Sequence, residues 1–206
     1  MEQLMTIKDH LNHFDNPALT YSHRSSLLHK NRTYYTGDDQ LFWQDDDNQQ
    51  VSLPYEDILS VEAMFVPTRV QSNRYLFRLK SISKGDVEIT NTSYKGLGDF
   101  EELDNTFVPF VTKLHAKMIK KNSTITFQKG SSWPVYVFAI FIGIILFVLI
   151  IAAFLFFLTS GVYLVAAVKL GILIFFFPRL IRYIKLNKPS SYDPLNLPTD
   201  ILPNQY

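Results

Sequence analysis

The chain has 206 residues, no cysteine and a formal net charge of +1 at pH 7. The lack of cysteine excludes disulfides, thiol catalysis and cysteine-ligated zinc. The charges are too few and too dispersed for the concentrated basic stripe of a nucleic-acid-binding protein. The first thirty residues carry charges throughout and contain no apolar core segment. We therefore expect no cleavable signal peptide, and a short amino-terminal segment (residues 1–16) that stays in the cytosol.

Residues 17–121 are predicted to form a domain of short strands that ends in one helix. The segment from Ala18 to Arg24 fits a first strand, and the turn Gly37-Asp38-Asp39 separates two strand-like runs as in a β-hairpin. Tyr75 to Lys80 and Val87 to Thr90 alternate apolar and polar residues, which is typical of half-buried strands. The pattern indicates an α+β fold.

The helix at the end of this domain is predicted to be amphipathic. Asp104, Asn105 or Thr106 can cap it, and Pro109 is expected in its first turn, where the missing N–H costs nothing. His115 lies beside the apolar stripe and is interpreted as half-buried packing. The stripe needs an apolar sheet face to cover it; its members are Phe107, Phe110, Val111, Leu114 and Met118.

Several runs of the sequence resemble known proteins. Pro54 to Val61 resembles the strand entry of bacterial pleckstrin-homology-like (PH-like) and GRAM-like domains. The runs Thr68 to Tyr75 and Ile89 to His115, together with the tail motif Tyr192-Asp193-Pro194…Ile201-Leu202-Pro203, are similar to an uncharacterised family of bacterial membrane proteins. That family has this domain and two transmembrane helices. The resemblance implies a PH-like β-barrel or sandwich capped by a carboxy-terminal helix. It leaves the ligand open, since PH-like domains bind phosphoinositides in some relatives and proteins or peptides in others.

Four basic residues on neighbouring strands and loops are candidates for a lipid-headgroup site, because arginine forks suit phosphates. These residues are Arg69, Arg74, Arg78 and Lys84. The alternative is that these residues, with Lys80, form ordinary surface salt bridges with nearby carboxylates, which are Glu56, Asp57, Glu62, Asp86 and Glu88.

A linker (residues 122–132) is predicted to lead into a transmembrane hairpin (residues 133–185). No charged residue occurs between Lys129 and Lys169, and about 20 apolar residues suffice to span a bilayer as a helix. The predicted spans are residues 135–158 and 162–184, joined by a turn at Thr159-Ser160-Gly161. Trp133 lies at the start of the first span, where aromatic rings favour the headgroup level.

The second span contains three residues with an open role. Lys169 is explained either by a side chain that extends to the membrane surface or by a polar contact to a partner helix or an ion path. Ala167 and Gly171 are small residues four positions apart, which allows two helices to approach closely. Their contact is either within the hairpin or with another subunit.

Basic residues lie outside both ends of the hairpin, whereas its turn has none. Fifteen basic and seventeen acidic residues precede Trp133, and five basic and two acidic residues lie from Trp133 onward. Because basic residues favour the cytoplasmic side, we expect a multi-pass protein of the bacterial inner membrane with both termini cytoplasmic. The Pro-rich tail (residues 186–206) also contains Leu195, Leu197, Ile201 and Leu202, so it is expected to lie extended along its own domain or a partner.

The remaining constellations indicate no catalytic or metal site. Asp45, Asp47 and Glu56 fit positions of a calcium loop, but Gln50 replaces its required glycine. Four histidines lack the carboxylates that would complete a metal site and are interpreted as surface residues; they are His10, His13, His23 and His29. We expect no enzyme, cofactor or metal. The leading hypothesis is a membrane-anchored interaction module, for example an accessory subunit, with membrane lipids and either a membrane protein or a second copy as partners. The alternatives are a sensor of anionic lipid headgroups and a transport component built on Lys169.

Overall fold

The computed structural model describes residues 20–28, 30–45 and 49–203. Its fold is mixed α+β, with β-sheets followed by three helices, of which two are long and apolar. The chain forms two compact units. The first unit combines the residues before Gly130 with those from Ser191 onward, and the second unit is Gly130–Ser190.

The first sheet of the first unit is a four-stranded antiparallel meander. Its strands are β1 (Thr20–His23), β2 (Arg32–Thr36), β3 (Gln40–Asp45) and β4 (Gln50–Pro54), in that order. The turn predicted at Gly37 joins β2 to β3, and the Gly37 N–H donates to the Gln40 carbonyl. A Cβ at Gly37 would lie 2.8 Å from that carbonyl oxygen, so the turn requires glycine.

The second sheet is built on three antiparallel strands, β5 (Ile58–Phe65), β6 (Tyr75–Ser81) and β7 (Gly85–Thr90). A separate hairpin follows, made of β8 (Thr92–Gly96) and β9 (Asp99–Glu102). The strand β10 (Thr126–Lys129) pairs in parallel with β5, and β11 (Ser190–Ser191) lies at the edge beside β10. The predicted linker at residues 122–132 therefore contains a strand, β10. Ile125 and Phe127 are buried, and they hold this segment against the domain.

The helix α1 (Asp104–Lys121) packs its apolar stripe into the core of this unit. All five stripe residues are at most 1% exposed, as the pattern predicts. The predicted place of Pro109 is wrong: the helix begins at Asp104, so Pro109 lies in its second turn and not in its first. The start is fixed by the Leu103 carbonyl, which accepts from the N–H groups of Thr106 and Phe107.

The second unit is a helical hairpin of α2 (Trp133–Thr159) and α3 (Tyr163–Leu186). Both helices are long and apolar enough to cross a membrane, by length and composition. The helix α2 begins two residues before and ends one residue after its predicted span, whereas α3 begins one residue and ends two residues later than predicted. Gly143 of α2 contacts α3, since a Cβ there would lie 3.1 Å from Leu180, and the rings of Phe147 and Phe177 stack one turn further.

The two outer ends of the hairpin are held together. Gly130 has a φ of +79°, and a Cβ there would lie 2.5 Å from the Asn187 carbonyl oxygen. The Ser131 N–H donates to the same carbonyl at 3.1 Å. The residues that lead into α2 and those that leave α3 are thus adjacent.

Candidate functional site

A buried polar contact of the first unit joins α1 to the tail. His115 is completely buried, and Tyr192 is 9% exposed. The His115 Nδ1 lies 2.6 Å from the Val111 carbonyl, and its Nε2 lies 2.8 Å from the Tyr192 hydroxyl. The Phe127 ring contacts both rings at centroid distances of 5.5 and 5.8 Å. This cluster of His115, Phe127 and Tyr192 is called the tail site below.

The hydrogen bonds of the tail site determine the protonation of His115. A carbonyl only accepts, so the His115 Nδ1–H donates to Val111 and Nε2 accepts from the Tyr192 hydroxyl. Burial lowers the pKa of His115 to about 4, although the bond to Val111 acts in the opposite direction. Burial also raises the pKa of Tyr192. At neutral pH, the pair is therefore an uncharged imidazole and a protonated phenol.

Two further contacts hold the tail on the domain. The Tyr192 N–H donates to the Phe127 carbonyl of β10. Near the other end of the tail, Ile201 is 3% exposed, and the Lys129 ammonium pairs with the Asp200 carboxylate. Tail residues from Ser191 onward thus belong to the same compact unit as the domain.

The structure does not bring together the four predicted headgroup residues. Arg69 and Arg74 lie between β5 and β6, whereas Lys84 lies in the turn after β6. The length of β6 (Tyr75–Ser81) separates these two ends by about 20 Å. The four residues therefore form no single site.

Arg78 and Lys80 form the ion pairs of the alternative interpretation. The Arg78 guanidinium donates twice to the Glu88 Oε1 and also lies near the Glu62 and Asp86 carboxylates. Lys80 pairs with Glu62 at 2.6 Å. With three carboxylates around two cations, this strand face has no excess of positive charge to attract an anion.

The small residues of α3 lie outside the contact within the hairpin. Ala167 is exposed, and a Cβ at Gly171 would have nothing within 4 Å. Gly143 and the buried Ala166 are the small residues of the helix contact instead. Of the two interpretations of Ala167 and Gly171, packing within the hairpin is therefore wrong. Lys169 is half-buried, about 9 Å along α3 from its first residue.

The interpretation of His23 as a surface residue is wrong, because it is 2% exposed in the core. His10, His13 and His29 lie outside the described residues, as does Asp47 of the calcium-loop pattern. In the described part of the chain, no group of three or more His, Asp or Glu side chains could hold a metal ion.

Sequence reasoning missed the tail site and the buried state of His23. No local pattern reveals the contact of His115 with Tyr192, since 77 positions separate them. For His23, the sequence did contain a signal of burial. His23 lies two residues after Tyr21 in a strand, so both side chains are on the same face. Comparison of the chain with protein-family models, with curated proteins and with solved structures finds no match.

Proposed function

We propose that this protein is a membrane-anchored interaction module without catalytic activity. In this proposal, a PH-like domain is held at the cytoplasmic face of a bacterial inner membrane by the helical hairpin. The domain and hairpin together serve as an accessory subunit of a larger membrane complex. The sequence resemblance to PH-like membrane proteins and the arrangement of basic residues around the hairpin motivate the membrane and the orientation.

The observation that carries the proposal is the return of the tail to the domain. Tyr192 follows α3 by six residues, and its side chain contacts His115 and Phe127. The tail after α3 is not a membrane-spanning helix, and the bilayer core does not accommodate unpaired backbone groups. The tail can therefore reach the domain only if the end of α3 lies on the domain's own side of the membrane. Two membrane crossings satisfy this condition, and a single crossing does not.

The order of elements supports the PH-like assignment. A four-stranded antiparallel sheet is followed by three antiparallel strands of a second sheet, and a helix then closes the core. Tyr21 and Tyr34 of the first sheet meet Phe110 of α1 in this core. Their ring centroids lie 5.4 and 6.5 Å from that of Phe110.

The outer face of the hairpin supports a role in assembly. Ala167 and Gly171 present a small-residue surface on α3 that lies open among the described residues. Helices in membranes associate by close packing at such surfaces, because lipid offers no hydrophobic driving force between them. This face is where we place the contact with a membrane partner or a second copy.

The test is purification of the full chain from its native membrane in mild detergent, followed by native mass spectrometry. We expect a stoichiometric assembly heavier than the 23.9-kDa chain. Gly171→Leu should reduce its yield several-fold, whereas Phe176→Leu, at an exposed site on another face of the same helix, should not. Monomer alone at every detergent concentration contradicts the proposal.

A further inference from the structure

The outer end of the hairpin, where α2 begins and α3 ends, carries a group of basic residues. Each of these side chains is exposed, and successive members are three positions apart. The group is called the basic cluster below; its members are Arg179, Arg182, Lys185 and Lys188.

The second unit contains no acidic residue that could neutralise the basic cluster. Residues 130–190 include five basic residues and no Asp or Glu. Within the part of the chain that the structure describes, none of the ion pairs involves Arg179, Lys185 or Lys188. The unit that is apolar enough to cross a membrane therefore has an uncompensated positive charge at one end.

The two acidic side chains of the tail have partners within the first unit. Asp200 pairs with Lys129. Asp193 accepts hydrogen bonds from the Leu195 N–H and from the Asn196 side-chain amide. Neither carboxylate is thus a counter-charge for the basic cluster.

Arg179 is oriented by an aromatic ring one turn earlier on α3. Its guanidinium carbon lies 3.8 Å from the centre of the Phe175 ring, which is a cation–π contact. A guanidinium that lies on a ring keeps N–H donors at its edge for other partners. Two such donors form the fork that binds two oxygens of a phosphate.

The position of Arg179 along α3 makes a counter-charge necessary. Arg179 lies about 24 Å along α3 from its first residue, whereas the hydrocarbon core of a bilayer is about 30 Å thick. If α3 crosses a membrane from a start at one surface, the Arg179 Cα lies just inside the opposite edge of that core. A cation at this depth is costly unless an anion meets it.

The arrangement of the basic cluster around α3 favours lipid over a partner helix as the source of that anion. Each step from Arg179 to Arg182 and from Arg182 to Lys185 turns the side chain by about 60° around the helix axis. A partner helix contacts a narrow seam, whereas lipid headgroups surround a membrane helix on all open sides.

Aromatic residues of α2 mark the same end of the hairpin. The Gly130 and Ser131 backbone contacts Asn187, so α2 begins beside the end of α3. Trp133 is 60% exposed, and its ring meets that of Tyr136 at a centroid distance of 5.9 Å. Trp and Tyr favour the headgroup level of a bilayer, which is the level at which lipid phosphates lie.

Basic clusters next to a membrane helix attract anionic lipids. We propose that the basic cluster binds the phosphate of an anionic phospholipid, and that Arg179, oriented by Phe175, makes the main contact. The site rests on the membrane anchoring proposed above. It is separate from the headgroup site predicted from the sequence, whose residues belong to the domain; these were Arg69, Arg74, Arg78 and Lys84.

The experiment is native mass spectrometry of the full chain in mild detergent. Phosphatidylglycerol and phosphatidylcholine, which differ in headgroup charge, are titrated separately, and the lipids bound to each protein species are counted. Arg179→Gln removes the guanidinium, and Phe175→Leu removes the ring that orients it. The control is Lys113→Gln, which removes one positive charge at an exposed position of α1. Flotation with phosphatidylcholine liposomes measures membrane anchoring independently.

We expect the wild type to bind phosphatidylglycerol about tenfold more tightly than phosphatidylcholine. Arg179→Gln should weaken phosphatidylglycerol binding about tenfold, and Phe175→Leu should weaken it by a smaller factor. Lys113→Gln should have no effect. Unchanged phosphatidylcholine binding in all variants serves as evidence that the hairpin is intact.

Equal affinity of the wild type for the two lipids, or an equal loss in Arg179→Gln and Lys113→Gln, would overturn the lipid site even if every variant floats with liposomes. Loss of the protein assembly in Arg179→Gln, with phosphatidylglycerol binding unchanged, would assign Arg179 to a partner subunit and also overturn it. A chain that does not float with liposomes contradicts the membrane anchoring itself, and the lipid site with it.

Discussion

At the scale of single residues, burial controls the chemistry of the two described core histidines. His23 and His115 both lie among aromatic rings and both remain neutral near pH 7. They differ in their partners, since the protein satisfies both nitrogens of His115 but not the Nδ1 of His23. The same physical environment thus gives one histidine a closed pair of hydrogen bonds and leaves a buried ring nitrogen of the other without one among the described residues.

Removal of the Tyr192 hydroxyl should destabilise the first unit. Tyr192→Phe keeps the ring contacts with His115 and Phe127 but leaves the buried His115 Nε2 without a donor. The expected loss is about 1–3 kcal/mol in the free energy of unfolding. Urea denaturation in detergent, followed by near-UV circular dichroism, measures it. Tyr163→Phe, at an exposed tyrosine, is the control, and an equal effect of both changes would show that the hydroxyl contact contributes nothing.

The buried histidines should make the first unit less stable in acid. Their folded pKa of about 4 lies below the usual value of 6.5. The unfolded chain therefore binds more protons between these values. Each histidine contributes stability that is fully present above pH 6.5 and is lost as the pH falls toward 4, by on the order of 3 kcal/mol.

Urea denaturation at pH 7, 5.5 and 4.5 measures this dependence. His115→Asn should have a smaller loss between pH 7 and 4.5 than the wild type, although its stability at pH 7 is lower. An unchanged slope in that variant would mean that His115 does not titrate between the folded and unfolded states.

At the scale of elements, Gly143 belongs to the contact between the two helices of the hairpin, whereas Gly171 lies outside it. Gly143→Leu should disturb the hairpin, because a Cβ at Gly143 already lies 3.1 Å from Leu180, and overpacking costs about 1–3 kcal/mol. Gly171→Leu should not, because the space there is open. Thermal unfolding of the helices by far-UV circular dichroism compares the two. A larger effect of Gly171→Leu on the isolated chain would reverse the assignment of faces.

The sequence predicted the helices better than the strands for a physical reason. An apolar run from Val135 to Leu158 or a five-residue stripe on α1 is a local signal that one segment contains by itself. The strand β10 is four residues long and pairs with β5, more than sixty positions away, so its local pattern is weak. The spacing of Ala167 and Gly171 left open whether they pack within the hairpin or against another subunit, and it did not indicate Gly143, because spacing alone does not tell which face of a helix meets its neighbour.

At the scale of the whole molecule, the tail links architecture to the proposed function. The composition left open whether the tail lies along its own domain or along a partner, and it did not indicate the anchor residues, because Tyr192 and Ile201 gain their burial from surfaces formed far away in sequence. Within the second unit, the ends of the hairpin meet at Gly130 and Asn187. Within the first unit, the tail packs on the domain. Both observations favour two crossings of the membrane.

The central proposal is therefore one of topology: we propose that the domain and the tail lie on the same, cytoplasmic side and that the turn of the hairpin lies on the other. The chain has no cysteine, so Ser25→Cys, Ser160→Cys and Ser191→Cys, all at exposed positions, can be probed singly. Spheroplasts are treated with a membrane-impermeant maleimide before and after lysis. We predict labelling of position 160 alone before lysis and of all three after it. Labelling of position 191 in unlysed cells would contradict the hairpin, and labelling of position 25 would contradict the orientation.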